Sequence, residues 1–189
     1  MTSLNSGQFE ENVYHAFPVL PITAGEWTTR TRVEALVKQL AAGRTWPEII
    51  GWRMYSGELD FSLSIWMDFL PMSTVCYYLP AHLVFASILL PANRSYFVDA
   101  VMDALILPPG SQAGVLDELD EELGIESLVS LYAGQRLAVY QALNAGQRRC
   151  IADYLALYLA QHPTRFGPRG IELYQQNMAY WRDSSLPVG

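Results

Sequence analysis

From Phe69 to Asn93 the chain carries no Asp, Glu, Lys or Arg, and Tyr77-Tyr78-Leu79-Pro80-Ala81-His82-Leu83 stands near the middle of that run. A stretch so apolar has to be buried, in a protein core or in a bilayer. It is long enough for either. Pro71, Pro80 and Pro91 divide it, and Ser73, Thr74, Tyr77, Tyr78 and His82 put polar groups inside it. No basic cluster flanks it to set an orientation in a membrane. The run therefore reads as two helices of a soluble core, about 72–79 and 80–90, with Leu79, Leu83, Phe85 and Leu89 inaccessible. Pro80 fits the first turn of the second helix, where no backbone N–H is needed.

Helical spacing accounts for most of the remaining chain. Ser6 reads as the cap of a first helix whose Phe9, Val13, Ala16 and Phe17 share one face, with Pro18 and Pro21 ending it. Thr29 to Ala42 reads as a second, stopped by Gly43. Thr45, Pro47 and Glu48 have the spacing of a capped turn. Trp52 to Asp68 reads as a loop followed by a short helix. Further helices are expected at about 95–106, 112–123, 125–131 and 136–143. Asn144 followed by Gln147 marks the start of another, in which Ile151, Tyr154, Leu155, Tyr158 and Leu159 form one apolar face up to His162-Pro163. Residues 164 to 170 read as a loop, and a last helix, about 171–182, carries Leu173, Tyr174, Met178 and Trp181. The expected fold is all-α, a single domain of about eight helices over residues 1–189 with frayed ends at 1–7 and 183–189. The run at 72–90 and the helix at 145–161 form its central layer.

With 189 residues, 51% of them hydrophobic, the chain can build a core without staples. Cys76 and Cys150 match no metal spacing and make no disulfide framework, so they read as buried thiols in a reducing compartment. Met1 to Gly7 lacks the basic and apolar pattern of a signal peptide, and the expected location is the cytoplasm. The net charge of -7 argues against nucleic acid, which demands Lys and Arg for its phosphates. It suits an acidic surface that meets a basic partner.

The Tyr77-Tyr78-Leu79-Pro80-Ala81 start, together with Arg136…Leu143-Asn144-Ala145-Gly146-Gln147-Arg148…Ile151…Tyr154-Leu155, resembles a group of uncharacterised, small, acidic, helix-rich bacterial proteins. The resemblance covers residues 60–160. His82 departs from it, where an aromatic is usual, and so does Asn144 at the cap. It implies a helical fold, carries over no catalytic residue, and by analogy suggests toxin-immunity proteins.

Two constellations are candidates for chemistry or binding. Asp117, Glu118, Asp120, Glu121, Glu122 and Glu126 form the densest charge block. On a helix, Leu116, Leu119 and Leu123 would face the core and the acids would fan outward as a recognition surface. Leu119 and Leu123 break the ligand alternation of a calcium loop. Trp52, Tyr55, Glu58, Asp60 and Trp66, with Tyr77 and Tyr78, would form an alternative aromatic site for a small enzyme or ligand-binding protein. Glu58 and Asp60 have no local histidine or nucleophile beside them. His15, His82 and His162 fall on separate elements, read respectively as a surface residue, a core histidine and a helix C-terminus where positive charge is stabilising. Gly167-Pro168-Arg169-Gly170 lacks the ending of a phosphate loop, and Arg148-Arg149 is too small a basic cluster for nucleic acid. No pattern calls for a metal or a cofactor. The reading is a non-catalytic protein that binds a protein partner with a basic surface, in the form of an immunity protein occluding a cognate toxin. A third reading is a housekeeping scaffold or homodimer, which would show a large apolar self-complementary patch.

Overall fold

The computed structural model describes residues 5–20, 32–50, 66–67, 70–92, 96–106 and 128–183. These residues form seven α-helices: α1 (Ser6–Ala16), α2 (Arg32–Ala41), α3 (Met72–Leu89), α4 (Tyr96–Leu105), α5 (Leu128–Ala142), α6 (Ala145–Gln161) and α7 (Pro168–Arg182). Two 3₁₀ turns, Trp46–Ile49 and Leu90–Ala92, complete the described elements, and no strand occurs among them. The protein is all-α, as the periodicity requires.

α3 is the hub. It packs against α1, α4, α5, α6 and the Trp46–Ile49 turn, while α6 pairs most extensively with α7 and also with α1. Every residue from Tyr78 to Ser87 is buried. The expected break at Pro80 is absent, and the two expected helices are one. A proline inside a helix forfeits one backbone bond, at roughly 3 kcal/mol. A helix buried continuously from Tyr78 to Ser87 recovers more than that from apolar burial. α3 is the one helix among the described residues long and apolar enough to cross a membrane, and 67% of it is buried inside the protein. Its last turn leaves the core: Leu89 is only half-buried, against expectation, and Ile88 is 53% exposed.

Other boundaries follow from capping chemistry. Asn5, not Ser6, caps α1, its Oδ1 accepting from the Gln8 N–H at 2.9 Å. Residues 5–7, expected to fray, are thereby tied down. Thr45 donates from its N–H and its hydroxyl to the Glu48 carboxylate, at 2.6 and 2.7 Å. The helices expected at 125–131 and 136–143 are a single one, α5, with Gly134 in its interior. An internal glycine weakens a helix by about 1 kcal/mol relative to alanine and does not end it. α7 begins at Pro168, three residues earlier than expected, because proline is well suited to a first helical turn. The start of α6 is as read: Asn144 Oδ1 accepts from the Gln147 N–H and Gln147 Oε1 from the Asn144 N–H, both at 3.0 Å.

Buried polar side chains lock the helix ends. The carbonyls of Ala104 and Leu105, in the last turn of α4, accept from Arg136 Nε and from Trp181 Nε1, each at 3.0 Å. These are C-terminal carbonyls that an α-helix cannot satisfy internally. Arg148 reaches the Tyr140 carbonyl at 3.3 Å and lies 4.2 Å above that residue's ring. The Tyr140 hydroxyl donates to the Asp183 carbonyl and so holds the end of α7 against α5.

Candidate functional site

The acidic block from Asp117 to Glu126 lies outside the described residues, as do Trp52, Tyr55, Glu58 and Asp60. Trp66, grouped with them, is helical and fully buried. Its indole stands edge-on to Tyr78 at 5.4 Å and to His82 at 4.7 Å. The Tyr78 hydroxyl reaches the carbonyls of Ala41 at 2.7 Å and Arg44 at 2.9 Å, joining α3 to the end of α2. Burial is the main cause that drives the Tyr78 phenol well above its ordinary pKa, with Tyr77 adding to it. Trp66 and Tyr78 thus belong to the core and are not an exposed aromatic lining.

His82 is a core histidine, as read. Its Nδ1 lies 3.0 Å from the Tyr78 carbonyl, which can only accept, so Nδ1 carries the proton. The ring stacks on Phe97 at 5.9 Å and 6°. Burial raises both thiols to about 11, that of Cys76, half-buried, and that of Cys150, buried, where Asp153 adds to the effect. Neither is a thiolate at neutral pH, and a thiol is a poor nucleophile. Among the described residues, no three His, Cys, Asp or Glu side chains come together to hold a metal ion.

Two places bring polar and aromatic side chains together near solvent. The first is the outer face of α1. An open groove of about 650 Å³ is lined there by Gly7, Gln8, Glu10, Glu11, Asn12, Tyr14 and His15. His15 is exposed, as read, and Tyr14 is 41% exposed with its ring 4.7 Å from that of Trp46. Partial burial and then the Glu10 carboxylate raise the Tyr14 phenol pKa. Val19 and Leu20, just past the helix, are exposed as well. The groove combines two carboxylates with a partly exposed amphipathic ring.

The second is the corner between α6 and α7. Tyr158 donates to Asp99 Oδ1 at 3.2 Å, and Arg165 pairs with the same oxygen at 3.1 Å. The Tyr158 ring is stacked on Tyr174 at 5.7 Å and 8°, and His162 meets it edge-on at 4.8 Å. Burial, followed by Asp99, pushes the Tyr158 phenol up to about 12. His162 caps α6, as read, but the stabilised positive charge expected of it is not what its surroundings favour. Its pKa is lowered, first by burial and then by Arg165, with Asp99 opposing. Sequence reasoning found Tyr158 through its helical spacing. It missed Asp99 and Arg165, because their pairing joins elements distant in the chain and leaves no local pattern.

No protein-family model matches the chain, and neither a curated protein nor a solved structure is similar to it.

Proposed function

We propose that this chain is a non-catalytic binding protein, acting in the cytoplasm as a bacterial immunity protein that occludes the active site of a cognate toxin. The observation that supports this reading is the outer face of α1, where Glu10, Glu11 and Tyr14 line an open groove in a chain of net charge -7. An open surface carrying two carboxylates and a partly exposed aromatic ring suits a basic protein partner better than a small substrate. The acids Asp117, Glu118, Asp120, Glu121, Glu122 and Glu126 extend the same chemistry in the proposal. Negative charge speeds encounter, and buried aromatic anchors then hold the complex. The alternative, a small enzyme or ligand-binding protein built on an aromatic pocket, draws less support, since Trp66 and Tyr78 are engaged in the core.

The test is co-expression with the product of the neighbouring reading frame. Restored growth together with a stoichiometric complex on size exclusion is the expected outcome. Unrelieved toxicity with no complex, or a harmless neighbour, would overturn the proposal.

A further inference from the structure

The corner between α6 and α7 is built around a buried histidine with unusual company. His162 is only 8% exposed. Its N–H donates to the Tyr158 carbonyl at 3.2 Å, closing the last turn of α6, and its own carbonyl accepts from the Arg165 N–H at 3.1 Å. The short connection after it leads directly into α7. Its ring rests on Tyr158, whose face carries Tyr174 of α7 and whose hydroxyl holds Asp99 of α4. One aromatic ring thus links three helices, and His162 supports it from the side.

The groups around the imidazole decide its charge. Asp99, from α4, attracts a proton to it, and so does the C-terminal end of the α6 dipole. Asp99 is already committed to Arg165 and to the Tyr158 hydroxyl. Arg165, from the connection, repels a second positive charge, and burial penalises the ion. Tyr158 and Tyr174 are neutral phenols at physiological pH and offer no counter-charge. A protonated ring would be drawn towards water and lifted off Tyr158.

We infer that this corner is an acid-sensitive latch: neutral His162 keeps α7 seated on α6, and protonation of its ring loosens that seat. The direction follows from linkage. An unfolded or released histidine takes its proton near pH 6.5, and the seated ring takes it only at lower pH. The latch is therefore fully closed above about 6.5. It weakens by up to about tenfold per pH unit as pH falls from there to the pKa of the seated ring, and no further below.

The experiment combines NMR titration of the His162 ring in the full chain with amide hydrogen exchange at pH 7.5 and 5.5, each rate divided by that of an unstructured peptide at the same pH. The ring should titrate below 6.5. Protection of α7 amides should fall by up to about tenfold at the lower pH while that of α1 holds. His162→Gln, uncharged at both values, should remove the difference. Arg165→Gln should move the ring's midpoint upward. A ring titrating at or above 6.5 overturns the latch even if the glutamine variant fails to fold. So does an equal loss of protection in α1 and α7, or an unchanged acid response in His162→Gln.

Discussion

Leu83 shows what a single apolar side chain contributes at the centre of α3. It is fully buried, in the helix that packs against α1, α4, α5 and α6. Leu83→Ala should destabilise the fold by about 2–5 kcal/mol, the sum of lost transfer energy and an unfilled cavity. Urea unfolding of the variant measures it, and a loss under about 1 kcal/mol would mean that the neighbours collapse freely into the space. Tyr78 contributes differently. Its hydroxyl reaches the carbonyls of Ala41, the last residue of α2, and of Arg44 just beyond it. Tyr78→Phe should cost about 1–3 kcal/mol, because buried acceptors lose their donor while the ring stays in place. An unchanged melting curve would show that water replaces the hydroxyl. At this scale the sequence was most legible where a residue's type settles its place, as with Phe9, Val13, Leu79 and Ile151. It was least legible for Arg136 and Arg148. Arginine is mostly exposed, and nothing local announces that Arg136 serves the end of α4 from thirty-two positions away or that Arg148 lies over Tyr140.

At the scale of helices, a reciprocal cap is legible in the sequence, whereas a single-residue interruption is not. Asn144 with Gln147 gives reciprocal bonds at 3.0 Å, so the cap itself specifies the start of α6. Asn144→Ala should therefore cost about 1 kcal/mol, read as a lower denaturation midpoint with an unchanged slope. The chain does not break at Pro80 or around Gly134, for one reason. A local penalty of about 1–3 kcal/mol is smaller than what a continuous buried helix gains from its neighbours. Tertiary packing therefore decided these two positions, and single-residue propensity cannot see packing. The connection after His162 shows the opposite limit. Proline and glycine there suggest a loop through residue 170, yet Pro168 sits where a helix accepts it most readily.

At the scale of the whole molecule, charge is the property that reaches a partner first. The chain carries 19 acidic residues against 12 Lys and Arg, and six of those acids fall between Asp117 and Glu126. The spacing of Leu116, Leu119 and Leu123 predicts that these acids point away from the apolar side of their segment. Reversing Asp120 and Glu121 to Lys should then leave folding intact and act on encounter. Exposed charges steer a partner over a range of about 8–10 Å before salt screens them. The association rate with the neighbouring gene's product should fall for the reversed variant at low salt, and the gap to wild type should narrow as salt is raised. The dissociation rate should change little, since rim charges act mainly on the approach. Stopped-flow association of both proteins at two salt concentrations measures this, with circular dichroism to confirm that the variant is folded. Equal association rates at low salt would remove the 117–126 block from the binding mechanism. Charge reversal at Glu10 and Glu11 would then separate the α1 face from it, because those two residues line the described groove and lie far from the block in sequence. Slower association in that variant alone would place the encounter on α1. No effect in either would leave the net charge a matter of solubility, and the aromatic residues would have to carry the recognition.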